Sequence, residues 1–314
     1  MKIFVNYIIS HFKEEFDLKL HLLIAVFLSI ALYFNYWYYP YRVYSNLTVN
    51  YFEDSRLILY LFLLFILPFL FTTVLIYHKN RAKNDKNNYK KYLIYGTIGM
   101  IFLALDCSYF SLQYLVELYD IDPFVNRWIR ACISNLSSLI TIIIPLYIIY
   151  FSVKHFKPEF YGLRLNGAKI VPYFWLILFM LPLIYIASFQ PDFLESYPSY
   201  PRQNFEYLFL DTDQWITAGI YELCYGFDFI SVELFFRGFL VIALSRFLGK
   251  DAILPMVTVY CFLHFGKPAG EAISSIFGGY ILGILAYRSR NIFGGLIAHL
   301  GVAWGMEFMA YLNI

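Results

Sequence analysis

The sequence predicts an all-α fold, a polytopic membrane helical bundle with about eight to nine transmembrane helices. Of its 314 residues, 60% are hydrophobic and only 15% are charged, whereas soluble domains carry about 25% charged residues. The apolar residues fall in repeated runs of about 20, the length that a helix needs to cross a bilayer. A net charge of +2 gives no reason to expect a nucleic-acid partner. We therefore expect the lipid bilayer to be the chain's main environment.

Nine apolar segments account for most of the chain, and the seventh is short for a full crossing. The stretch 190–215 is rich in Pro, Asp and Tyr and is expected to be an exposed outer connection. It divides residues 1–200, which show no site, from residues 201–314, which carry the polar motifs. The segments are 20–39, 57–77, 92–118, 131–151, 171–189, 216–247, 252–265, 271–287 and 292–312.

The basic residues orient these segments. A cytoplasmic N-terminus places most of the 24 Lys and Arg residues on the inner side, as the positive-inside rule requires. We expect the C-terminus outside, in the cell membrane. The first apolar run lacks a small-residue cleavage site and is expected to stay as an anchor. The basic residues left on the outer side are Arg42, Arg56, Arg127, Arg130, Arg202 and Lys267.

Four of the titratable residues inside apolar segments stand out together. Glu233 and Arg237 are four residues apart, which places them on one face of a helix, and His264 and His299 follow in later segments. Ionisable side chains within a membrane usually face the protein interior or a wet cavity. A purely structural alternative is a buried ion pair with two hydrogen-bonded core histidines. The combination of all four in three segments favours a functional site.

The three segments also carry ordered motifs: VELFFR at Val232–Arg237, YCFLH at Tyr260–His264 and HLGVA at His299–Ala303. They resemble the EExxxR, FxxxH and HxxxN motifs of the CAAX-protease and bacteriocin-processing (CPBP, Abi-type) family of intramembrane peptidases. The resemblance covers about residues 220–310. The chain departs from the family pattern at three motif positions, where it has Val232, Tyr260 and Ala303.

The resemblance implies a metal-free, glutamate-dependent peptidase. Glu233 would take a proton from water as the base, Arg237 would orient that carboxylate, and His264 and His299 would donate hydrogen bonds to the oxyanion. No cofactor is expected. Zinc is the alternative, since one Glu and two His form a zinc-ligand set and such proteins are also described as metalloproteases. The spacing of these residues, without an HExxH motif, does not specify zinc.

Glu271 has two interpretations. It follows a turn and sits where an acid complements the dipole of the next helix. It is also a candidate second carboxylate, facing His264 and standing in for the glutamate that Val232 replaces.

Other polar and small residues receive structural roles. Asp228 is about 140° around the helix from Glu233 and should point elsewhere. Glu307 is expected at the interface, and Asp106 has no partner that the sequence can assign. Gly279 and Gly283 form a GxxxG pair, which predicts close helix packing.

We therefore predict an intramembrane endopeptidase that hydrolyses a peptide bond in a lipidated tail, a leader peptide or a membrane-anchored substrate. Val232 and Ala303 motivate a second hypothesis, an inactive family member that acts as a membrane scaffold or partner-binding protein. A proton-coupled transporter is a third hypothesis, which the lack of an internal repeat disfavours.

Overall fold

The structure is a computed structural model. It describes residues 2–14, 16–38, 56–80, 85–108, 121–153, 160–164, 169–200 and 205–313. Some residues of the predicted segments, and some of the 24 Lys and Arg residues that orient them, lie outside this part of the chain. They are the end of the third segment (109–118), residue 39 of the first, and the basic residues Arg42, Arg81, Lys83, Lys154, Lys157 and Arg202.

Every regular element in the described residues is helical, which confirms the predicted fold class. In their described residues the nine apolar segments are all helical, and one further helix, α1, precedes them. The first six helices are α1 (Lys2–Glu14), α2 (Leu18–Tyr36), α3 (Arg56–Lys79), α4 (Lys86–Cys107), α5 (Pro123–Ser138) and α6 (Ile144–Ser152). The rest are α7 (Val171–Ala187), α8 (Pro191–Ser196), α9 (Glu206–Phe209), α10 (Gln214–Glu233), α11 (Ser245–Leu248), α12 (Ile253–Leu263), α13 (Ala269–Ser289) and α14 (Phe293–Leu312).

Five stretches of helix in the described residues are long and apolar enough to cross a membrane. A sixth apolar helix, α7, is shorter. These helices support an integral membrane protein. The candidate spans are Leu18–Tyr36, Arg56–Lys79, Pro123–Ser152, Ala269–Ser289 and Phe293–Leu312.

The short seventh segment forms α12, which lies at the centre of the bundle. Every residue from Ile253 to Phe262 is buried, and α12 packs mainly against α13 and α3. A helix surrounded by protein does not have to match the thickness of the hydrocarbon layer, so its short length is compatible with a place inside the membrane domain. Gly279 and Gly283 permit this packing, because a Cβ atom would lie 3.0 Å from the Tyr260 ring and 2.8 Å from Met256, respectively. The predicted role of the GxxxG pair is thus confirmed.

The sixth segment, 216–247, is helical but is not one regular helix. After α10, the backbone widens into a π-helix at Leu234–Ala243, and α11 follows. A second π-helical stretch, Leu139–Ile143, joins α5 to α6. Such widenings are rare and often accompany functional sites. Gly238 lies in the π-helix at Leu234–Ala243, where a Cβ atom would come within 2.7 Å of the Tyr161 carbonyl oxygen.

In its described residues, 190–200 and 205–215, the outer stretch is only partly the exposed connection that we expected. It contains α8 and α9, and the side chains of Tyr197 and Glu206 are buried. Each of these side chains has a hydrogen-bond partner. The Tyr197 hydroxyl donates to Glu271, and the Glu206 carboxylate accepts from the Tyr200 hydroxyl. Paired polar groups can be buried at much lower cost than unpaired ones, and a sequence pattern does not reveal such pairs.

Candidate active site

Glu233 and Arg237 form a fully buried ion pair where α10 passes into the π-helix. The Arg237 Nη1 atom lies 3.0 Å from Glu233 Oε1, and the two side chains are 1% and 0% exposed. The predicted four-residue spacing therefore brings them together. A charged pair without solvent needs further hydrogen bonds to offset its desolvation.

His299 supplies one of these bonds from α14. Its Nδ1 atom lies 3.0 Å from Glu233 Oε1, and because a carboxylate only accepts, Nδ1 carries the proton. The other ring nitrogen, Nε2, is left to accept from the Tyr260 hydroxyl at 3.0 Å. The Phe229 ring meets the imidazole edge to face, with centroids 4.6 Å apart. Both nitrogens of His299 are thus engaged within the protein.

Tyr260 links the site residues in a way that the sequence motifs did not reveal. Its ring lies beneath the Arg237 guanidinium, 4.3 Å from Cζ to the centroid, while its hydroxyl donates to His299. Its carbonyl oxygen accepts from His264 Nδ1 at 2.8 Å. The only signal in the sequence was a hydroxyl group in place of the family's Phe, four residues before His264.

His264 belongs to a different part of the site and faces Glu271. Because Nδ1 donates to the Tyr260 carbonyl, the Nε2 atom of the neutral ring is free to act as an acceptor. It lies 3.9 Å from Glu271 Oε1, with the two side chains 13% and 16% exposed. The turn that carries His264 is held by the Tyr36 hydroxyl, which lies 2.9 Å from the His264 carbonyl and 2.8 Å from that of Lys267.

Both interpretations of Glu271 agree with its position. It lies in the first turn of α13, where an acid is stabilised by the helix dipole, and one of its oxygens faces His264. The other, Oε2, accepts from the Tyr197 hydroxyl at 2.7 Å.

The four motif residues and Glu271 therefore form two groups that meet at Tyr260. One is the buried group of Glu233, Arg237 and His299. The other is the half-buried pair of His264 and Glu271. Val232, at the position of the family's first glutamate, packs against the apolar core instead.

The buried group is tightly enclosed. A Cβ atom on Gly295 would lie 2.7 Å from Glu233 Oε2, and one on Gly294 would fall inside the Tyr173 ring, 1.8 Å from its nearest atom. The Oε2 atom is buried without a hydrogen-bond donor among the described residues. Ala303, at the position of the family's Asn, is buried in an apolar cluster beside Phe229.

The remaining acids lie outside these two groups. Asp106 accepts a hydrogen bond from the Thr141 hydroxyl, a partner that the sequence could not assign. Asp228 has Ser138 and His299 among its neighbours, so its orientation away from Glu233 stays a prediction. Glu307 is buried rather than interfacial, because the backbone and hydroxyl of Ser199 bind its carboxylate at 2.8 and 2.6 Å.

In the described part of the chain, no three His, Cys, Asp or Glu side chains are grouped so that they could hold a metal ion. The expectation of a cofactor-free site stays a prediction.

The part of the chain that contains these residues is similar to a known protein family. Residues 216–305 match the family model described as type II CAAX prenyl endopeptidase Rce1-like. This segment is similar to the Rce1-like family. No curated protein and no solved structure matches the chain.

The match to the Rce1-like family confirms the resemblance that the three motifs predicted. It covers less than half of the chain, but it includes Glu233, Arg237, His264, Glu271 and His299. It supports a CAAX-protease-like enzyme in the membrane. Neither Tyr36 nor Tyr197, which hold the site from outside the motif-bearing part, lies within the match.

Proposed function

We propose that the protein is an intramembrane endopeptidase in which His264 and Glu271 activate the attacking water. Its substrate would be a membrane-associated peptide: a lipidated tail, a leader peptide or a membrane-anchored segment. The observation that carries this proposal is the pairing of a motif histidine with an accessible carboxylate, at 3.9 Å from Nε2 to Oε1. The Rce1-like match supports the reaction type.

The geometry of the pair suits water activation. A separation of 3.9 Å is too long for a direct hydrogen bond, but one water can donate to both atoms at ordinary distances. Glu271 would take one proton from this water as its oxygen attacks the scissile carbonyl carbon. The same proton would pass to the leaving amine as the tetrahedral intermediate collapses.

The buried group of Glu233, Arg237 and His299 would hold the reacting residues in place and would not itself react. Arg237 and His299 both meet Oε1 of Glu233, and that carboxylate is 0% exposed, so a substrate could reach it only if the surrounding residues moved. We therefore assign to Glu233 and Arg237 the task of holding His299 and Tyr260, which in turn fixes His264. For His299 to bind the oxyanion, as predicted from the sequence, its bond to Tyr260 would have to open.

One observation keeps Glu233 as the second candidate for the base. Its Oε2 atom is buried without a donor among the described residues, and buried polar atoms are usually paired. A substrate or water that reached Oε2 would give Glu233 the role that the sequence predicted. The variants described in the Discussion distinguish the two carboxylates.

The proposed activity is tested with the purified full-length protein in detergent and a library of membrane-anchored and C-terminally lipidated peptides. Mass spectrometry should detect new peptide termini with the wild type and none with His264→Ala, because the substitution removes one of the two groups that hold the water. If folded wild-type protein cleaves nothing while a partner protein co-purifies with it, the scaffold hypothesis replaces this proposal.

We also infer that the N-terminus is cytoplasmic and the C-terminus lies outside the cell membrane. The distribution of basic residues supports this threading. Contacts between residues that it places on the outer side support it as well: Tyr36, at the end of α2, contacts His264, and Ser199 contacts Glu307 near the end of α14. A reporter enzyme that works only outside the cytoplasm should be active when it is fused after Ile314, and one that works only in the cytoplasm should be inactive there. Cytoplasmic reporter activity would contradict this threading.

A further inference from the structure

A short segment, Tyr197–Tyr200, connects the outer ends of three helices. Each of three side chains in this segment donates a hydrogen bond to a carboxylate on a different element. Tyr197 binds Glu271 of α13, Ser199 binds Glu307 of α14, and Tyr200 binds Glu206 of α9. We call this segment the strap.

The strap is fixed by strong contacts. The carboxyl groups of Glu206 and Glu307 are buried, and a hydrogen bond made in such a low-dielectric site is stronger than one exposed to water. The backbone N–H of Tyr197 also donates to the Phe193 carbonyl at 2.9 Å, which joins the strap to the end of α8. The strap is therefore held at both ends.

Only one of these contacts reaches the candidate active site. The Tyr197 hydroxyl donates to Oε2 of Glu271 at 2.7 Å, and the other oxygen of that carboxylate faces His264. The Tyr197 ring itself is buried, and the Lys267 ammonium lies 5.2 Å from its centroid. Because the ring cannot move freely, its hydroxyl fixes which oxygen of Glu271 turns towards His264.

We propose that Tyr197 is a positioning residue for the reaction. Its hydroxyl holds the Glu271 carboxylate so that Oε1 stays opposite Nε2 of His264. This inference rests on the proposed function, because it assigns a role relative to Glu271 as the base. Its consequence is that the strap, which lies outside the Rce1-like match, contributes to the catalytic rate. Displacements of about 1 Å at a reacting group can cost about 100-fold in rate.

The strap provides a matched pair of variants. Tyr197→Phe and Tyr200→Phe each remove one hydroxyl that donates to a carboxylate, from the same segment, but only Tyr197 contacts Glu271. We would measure kcat, KM and the detergent Tm of both variants and of the wild type, using the library peptide that the wild type cleaves fastest. We expect Tyr197→Phe to lower kcat at least about tenfold with KM nearly unchanged. Tyr200→Phe should leave kcat within about twofold of the wild type.

The outcomes separate this inference from the proposed function. A wild-type rate with Tyr197→Phe, or an equal fall in kcat with both variants, would overturn the positioning role and leave the peptidase intact. A rise in KM alone, or a fall in Tm alone, would also overturn it, since either result indicates a binding or structural contact. If the folded wild type cleaves no peptide, the proposed function fails and the inference fails with it.

Discussion

Replacing Glu271 by Gln is expected to lower kcat by about 10²–10⁴-fold, the contribution that a general base makes to a reaction. The amide keeps the size of the side chain and can still accept from Tyr197, but it cannot take a proton from water. The side chain is 16% exposed, so the substitution does not leave a fully buried charge unpaired. We therefore expect the Tm of the variant in detergent to match that of the wild type within a few degrees.

Glu195→Gln is the matched control for this experiment. Glu195 lies on α8, close to the strap in sequence, and its side chain is exposed, so the same chemical change there should alter neither kcat nor Tm. Wild-type turnover by Glu271→Gln, together with loss of turnover by folded Glu233→Gln, would move the base to Glu233. That result would restore the assignment made from the sequence motifs.

Replacing Glu233 by Gln is expected to have the largest effect on stability. The substitution leaves the guanidinium of Arg237 buried without a counterion, and breaking a buried ion pair from one side typically costs about 3–5 kcal/mol. The Gln amide oxygen can still accept from His299, which lies 3.0 Å from Glu233 Oε1, so the loss of stability should come mainly from the missing charge opposite Arg237. Thermal unfolding in detergent, followed by circular dichroism, should show a clear fall in Tm.

The partner substitution makes this prediction specific. Arg237→Gln should destabilise the protein by a similar amount, while the double variant Glu233→Gln/Arg237→Gln should lose less than the sum of the two. The double variant contains no unpaired charge at this position, which is the physical reason for the recovery. Additive losses, or a Tm that does not change with Glu233→Gln, would mean that the pair contributes no coupling energy to the fold.

Helix positions and the three motifs could be predicted from the sequence because both depend on local patterns. Apolar runs near 20 residues specify membrane helices whatever they pack against. The four-residue spacing of Glu233 and Arg237 places them together on a single helix, and the structure brings them to 3.0 Å. The GxxxG pair on α13 predicts a close approach for the same local reason.

The division of the site into two groups could not be predicted, because it depends on side chains from distant parts of the chain. Tyr260 has a hydroxyl, but nothing in the sequence shows that it would meet His299, 39 residues later. The Tyr197–Glu271 bond joins residues 74 positions apart, within a loop that its composition marked as exposed. The π-helix after Glu233 has no known sequence signal in this chain, and it shapes the region between the two groups.

Peptide hydrolysis in ¹⁸O-labelled water, comparing the wild type with Glu271→Gln, tests the central claim most directly. The account predicts that the wild type releases a product whose new carboxyl terminus carries one ¹⁸O atom, and that Glu271→Gln releases almost none in the same time. Labelled product formed at equal rates by both proteins would contradict the assignment of Glu271 as the group that activates water.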